Sequence, residues 1–209
     1  MLEKNIAAFI DKDGVICELS EYEEGDKVAF TIKKEEIKLI KNSAKAIKKL
    51  NEKDIKVIII TNQPQIGRGL ITEEEGRELN NQTIKLLEEN EARVDAVYYC
   101  PHHPTKGLGK YKINCECRKP KPGMILRASK EHNINLENSY VIGDRTADIK
   151  AGKLAGCKKA IGVKTGYACD DDFKDAVPDV MADDLSEAVN IILGEIKWEK
   201  LQYLKVQQQ

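Results

Sequence analysis

No long hydrophobic run occurs in this chain of 209 residues. Its apolar runs, such as Ile6–Ile10 and Val57–Ile60, are far shorter than the ~20 residues a membrane-spanning helix needs. The opening MLEKNIAAFI lacks a basic start followed by a long apolar segment, which argues against a signal peptide and for a cytoplasmic protein. An excess of positive charge is absent too: 34 Lys and Arg face 35 Asp and Glu, a formal net charge of −1. That excludes a nucleic-acid binder held by bulk positive charge. No internal repeat, low-complexity tract or linker divides the chain, so a single domain over 1–209 is expected. What is plentiful is charge, 33% of all residues, as on solvated helical surfaces.

Short apolar runs alternate with amphipathic patterns. Residues 6–10, 56–60, 94–99, 139–143 and 158–163 read as buried strands, and 43–52, 72–90, 122–133, 146–155 and 185–196 as helices. Thr72 followed by Glu75 makes a capping box, and Gly156 is a helix stop. This alternation predicts a doubly wound α/β fold with a mainly parallel sheet. Ligands in such folds sit at the carboxyl ends of the strands, where strand order reverses.

The strand ends carry the chemistry. After the first strand comes Asp11-Lys12-Asp13-Gly14, whose two carboxylates can face one site and whose repulsion a divalent cation would relieve. After the second comes Thr61-Asn62-Gln63, which could cradle a phosphate or simply cap a turn. After the fourth comes Gly143-Asp144, followed by Asp148. Arg118 and Lys119 supply cations just before a helix. A second acidic run, Asp170-Asp171-Asp172, reads as a solvated loop. Between 100 and 117 lie Cys100, His102, His103, Cys115 and Cys117, a grouping that reads as metal binding before disulfide. Three thiolates and one imidazole suit tetrahedral Zn²⁺, and spacing alone does not choose between the two histidines.

The order D-x-D-G, T-N-Q, lysine, G-D-x-x-x-D resembles the haloacid dehalogenase (HAD) superfamily of phosphotransferases. Within it, VYYCPHHP, CECRKPKPGM and TNQPQIGRG resemble the D-glycero-D-manno-heptose 1,7-bisphosphate phosphatases, with histidinol-phosphate phosphatases as near relatives. The resemblance implies a three-layer Rossmann-like core over about 5–196, no large cap domain, a zinc-binding loop over 100–117, and a tail from 197. It implies Asp11 as nucleophile and Asp13 as general acid and base, with Thr61 and Lys119 on the phosphoryl oxygens, assisted by Asn62 and Gln63. Asp11, the Asp13 carbonyl and Asp144 would hold Mg²⁺, Asp148 would orient that site, and Arg118 and Arg145 would grip the rest of a phosphorylated sugar. It also selects His102 over His103 as the fourth Zn²⁺ ligand. Loops 18–30 and 101–114 are expected to close the site.

Asp13-Gly14-Val15-Ile16-Cys17 departs from the family's D-G-T-I-N, and GDRTADI is equally like the histidinol-phosphate enzymes. Three other readings follow: a histidinol-phosphate phosphatase, a silent HAD-like binding module, or a zinc-finger-like interaction protein. The complete carboxylate set speaks against the second, and the missing basic stripe against the third.

Overall fold

The structure is a computed structural model describing residues 5–20, 31–171 and 176–207, of which 199–207 as backbone only. Among these residues six strands form one sheet: β1 (Ala7–Ile10), β2 (Lys56–Asn62), β3 (Ala96–Cys100), β4 (Tyr140–Gly143), β5 (Lys159–Val163) and β6 (Val180–Ala182). Their order is β3-β2-β1-β4-β5-β6, with every pair parallel. The helices are α1 (Ser43–Asn51), α2 (Pro64–Gly67), α3 (Glu73–Glu88), α4 (Gly123–His132), α5 (Thr146–Ala155) and α6 (Leu185–Gln207).

A parallel strand covered on both faces must be apolar on both. All four residues of β1 and of β4 are buried accordingly. Alternate side chains then face opposite layers. Ala8 and Ile10 join Ile47 of α1, Leu79 of α3 and Ile192 of α6. Ala7 and Phe9 pack with Met124 and Ile125 of α4 and Ile149 of α5. The result is the expected three-layer α/β sandwich, and nothing of domain size is inserted between the described elements.

Local signals act as expected. Thr72 Oγ1 accepts from the Glu75 N–H at 3.1 Å while the Glu75 carboxylate accepts from the Thr72 N–H at 2.7 Å, closing the capping box of α3. Gly156 ends α5 at φ +81°. Helix α6 continues past the expected 196 to Gln207, so the tail extends it. Several short elements were not anticipated, among them a strand, a helix and three single 3-10 turns. Strand β6 has three residues and, among the described residues, pairs only with β5, and α2 is a single turn started by Pro64. Among the described residues no helix is long and apolar enough to cross a membrane.

Because all strands run the same way, their carboxyl ends share one edge. Strand order reverses at β1, which lies between β2 and β4. Asp11, Asn62 and Asp144 therefore come from three neighbouring strand ends at the switch point.

Candidate active site

The Asp11 N–H donates to the Ile142 carbonyl at 3.0 Å, so β1 and β4 hold the first carboxylate in register. The Asp11, Asp144 and Asp148 carboxylates all lie within 4.8 Å of one another, and all three residues are buried. One cation enters this group: Lys119 Nζ is 2.8 Å from Asp11 Oδ1 and 2.6 Å from Asp148 Oδ1, and donates to the Ile60 carbonyl at 2.8 Å. Burial works to lower the Lys119 pKa, yet Asp11 and Asp148 raise it above the usual range, so the ammonium stays charged. A single ammonium does not balance the cluster. Burial first, and then the charge of Asp11, pushes the Asp144 carboxyl up to about 8, and the same two causes raise Asp148.

Asp144 Oδ2 accepts from the Tyr167 N–H at 2.9 Å, whereas its buried Oδ1 has no hydrogen-bond partner. Gly14 (φ +85°) and Gly166 (φ +63°) press against this carboxylate so closely that a side chain at either would collide with it. An orphaned carboxylate oxygen in an acidic, oxygen-rich cluster fits a hard divalent cation such as Mg²⁺. Asp148 Oδ2 accepts from the Arg145 N–H at 3.1 Å, which fixes its orientation at the first turn of α5.

Asp13 stands at the mouth of this cluster. Its side chain is 25% exposed and lines a cleft of about 570 Å³. Lys12 Nζ, from a fully buried side chain, lies 3.3 Å from its Oδ1. Burial raises the Asp13 pKa, with Asp11 adding to the rise and Lys12 opposing it. A carboxyl of this kind can carry a proton to a leaving group.

Thr61 is buried at the end of β2 and lines the same cleft. Asn62 clasps the lysine loop: its Nδ2 donates to the Lys119 carbonyl and its Oδ1 accepts from the Lys119 N–H, each at 3.1 Å. Gln63 is not brought to the cleft. The chain leaves β2 there to enter α2, and the Gln63 amide pairs with that of Asn80 in α3 at 3.0 and 3.2 Å.

Arg118 and Arg145 line the cleft beyond Asp13. Arg118 Nη1 donates to the His102 carbonyl at 3.1 Å. Arg145 Nε donates to Asp171 Oδ2 at 2.9 Å, and its guanidinium lies 4.4 Å from the centre of the Tyr167 ring. The solvated-loop reading of 170–172 is thus corrected at Asp171. Its side chain is only 8% exposed, and Oδ1 accepts from the Thr146 N–H and hydroxyl at 2.7 and 2.6 Å. Asp170 is exposed, while Asp172, like 21–30 of the expected closing loop, lies outside the described residues. Sequence reasoning also missed Tyr167, Arg68 and Lys106 as cleft residues. For Tyr167 a signal existed, since it follows closely on β5 at the same sheet edge as Asp11.

The soft-ligand cluster assembles beside this cleft. Cys117 Sγ is 3.2 Å from Cys100 Sγ, 3.2 Å from Cys115 Sγ and 3.4 Å from His102 Nδ1. Cys100 Sγ lies 3.4 Å from Cys115 Sγ and 3.6 Å from His102 Nδ1. Three thiol sulfurs and one imidazole nitrogen, all within 4.8 Å of one another, are a donor set that suits tetrahedral Zn²⁺. Its hydrogen bonding with Cys100, aided by Cys115 and His102, holds the Cys117 thiol down at about 5. His103 faces elsewhere: its Nδ1 accepts from the Lys106 N–H at 3.0 Å and closes a turn of the loop.

Comparison with known proteins places this geometry among phosphatases. The hydrolase-like family model, described as HAD-hydrolase-like, matches residues 116–188. A D-glycero-beta-D-manno-heptose-1,7-bisphosphate 7-phosphatase of Pasteurella multocida is 36% identical over 80% of this chain and 86% of its own. The corresponding alpha-anomer enzyme of Burkholderia mallei is 38% identical over 73% of this chain and 77% of its own. Among solved structures, D,D-heptose 1,7-bisphosphate phosphatase from B. bronchiseptica, complexed with magnesium and phosphate, superposes with a TM-score of 0.74 at 26% identity, covering 91% of this chain and 99% of that one.

Proposed function

The chain belongs to the D-glycero-D-manno-heptose-1,7-bisphosphate 7-phosphatase family of HAD hydrolases, and on that premise we propose that it is a Mg²⁺-dependent phosphatase releasing one phosphate from a heptose 1,7-bisphosphate in the cytoplasm. The observation carrying the reading is the convergence of Asp11, Asp144 and Asp148 on Lys119, with Asp13 at the cleft mouth.

Asp11 attacks phosphorus in line with the leaving oxygen, giving an aspartyl-phosphate. Asp13 donates its proton to that oxygen, then accepts one from the water that hydrolyses the acyl phosphate. Lys119 and Thr61 hold the phosphoryl oxygens, and Asn62 keeps Lys119 in place through its two backbone bonds. Asp11, the Asp13 carbonyl and Asp144 would hold Mg²⁺, which supplies positive charge against the phosphoryl oxygens when bound. Asp148 aligns Lys119 rather than touching substrate. Arg118 and Arg145 take the distal half of the substrate. The Cys100, His102, Cys115 and Cys117 set would hold a structural Zn²⁺, because four protein ligands leave no open position for chemistry.

The test is a steady-state screen with Mg²⁺ over phosphorylated metabolites, both heptose anomers and histidinol phosphate included. The heptose bisphosphates should give the highest kcat/KM, and a preference for histidinol phosphate would overturn the substrate. Asp11→Asn should abolish turnover. Retained turnover in that variant rules out a covalent route through Asp11.

A further inference from the structure

The cleft that Arg118 lines is also lined by residues to which the mechanism assigns no task. Asp171 spends both carboxylate oxygens on the start of α5. Oδ1 accepts from the N–H and hydroxyl of Thr146, and Oδ2 accepts from Arg145 Nε. Tyr167, from the same segment, lies under the guanidinium and donates its own N–H to Asp144. A long, flexible arginine is thereby fixed at one nitrogen and along one face, with its side chain still 32% exposed at the cleft. Arg118 is held from the other side by the His102 carbonyl. Both guanidinium-bearing side chains line the same cleft. Like charges brought together at a cleft are relieved by an anion placed between them.

We propose that Asp171 is a positioning residue for substrate selection: by fixing Arg145 against Tyr167 in the cleft that Arg118 also lines, it makes the cleft prefer substrates that carry a second anionic group beyond the scissile phosphate. Resting on the phosphatase reading above, this adds the element that would separate a bisphosphate from a simple monoester. The preference comes from preorganisation. An unrestrained arginine loses rotamer freedom on binding an anion, whereas one already held does not.

The experiment compares kcat/KM for heptose 1,7-bisphosphate with that for p-nitrophenyl phosphate, which has no second anion. Asp171→Asn keeps an oxygen for Thr146 and removes the ion pair. The ratio of the two efficiencies should fall about tenfold, through KM for the bisphosphate, as loss of ~1.4 kcal/mol of binding predicts. Asp171→Ala should shift the ratio equally and also lower the melting temperature, since the Thr146 N–H loses its acceptor. Adding Asp171→Asn to Arg145→Ala should leave the ratio of the single Arg145→Ala variant unchanged, because Asp171 acts through Arg145. An unchanged ratio in Asp171→Asn, or equal proportional losses on both substrates, overturns the positioning role alone. Wild-type protein that turns over the aryl ester without preferring the bisphosphate would instead defeat the substrate reading.

Discussion

Among the described residues, Lys119 is the one ammonium within hydrogen-bonding distance of both Asp11 and Asp148, and it is itself buried. Removing one member of a buried ion pair strands the other's charge, which typically costs about 3–5 kcal/mol. Lys119→Met is therefore expected to lower urea-unfolding stability by about that amount and to abolish turnover. Adding Asp148→Asn should restore most of the stability and none of the activity; a double variant as unstable as the single one would show that Lys119 acts through packing alone. Asp13→Asn should slow a sugar phosphate far more than an activated aryl phosphate, because only the poor leaving group needs the proton. Equal losses on the two would remove Asp13 from the acid role. Asp11 and Asp144 were legible because each closely follows an apolar run, and Asp13 and Asp148 by their short spacing from those two. Gln63 and Asp171 were not, and the reason is geometric in both. A turn directs Gln63 away from its neighbours in T-N-Q, and Asp171 joins the site through contacts with Arg145 and Thr146, 26 and 25 residues away along the chain.

At the scale of elements, α3 and the cysteine loop make a useful contrast. The capping box of α3 lies away from the cleft carboxylates, so Thr72→Ala should cost about 1 kcal/mol in stability while leaving kcat and KM unchanged. The loop is different, because Cys117 is followed at once by Arg118 and Lys119. Cys117→Ser should raise KM and lower the melting temperature together, and stoichiometric zinc measured in native protein should be lost from the variant. Unchanged kinetics would make the clip incidental. Five strands were readable from their continuous apolar runs, as befits a sheet buried on both faces. Strand β6 was not, since Val180-Met181-Ala182 is flanked by aspartates and owes its form to pairing with β5. Helix α2 hid for a related reason: one turn has too few residues to show a period.

For the molecule as a whole, the buried carboxylates couple stability to pH and metal. Asp144 has a folded pKa near 8, above its value of 3.8 when unperturbed. Between those values the folded protein without metal binds more protons than the unfolded chain, so its stability falls as pH rises through that window. Mg²⁺ needs the deprotonated carboxylate and should replace the lost stabilisation. The rise in melting temperature produced by Mg²⁺ is thus expected to be larger at about pH 8 than at about pH 6. Equal rises at both would mean that Asp144 carries no proton in the metal-free state.

The central place of β1 has a further consequence, for biosynthesis. The strand carrying Asp11 is the first to be made, yet both of its neighbours, β2 and β4, emerge later. Lys119 and Asp148, which surround the nucleophile, come later still than β2. Contacts of such separation form late, after the loops between them have closed. A chain still on the ribosome therefore displays Asp11 without Lys119, Asp144 or Asp148, and the capacity to cleave phosphate arrives only when the last of these segments has been released and docked.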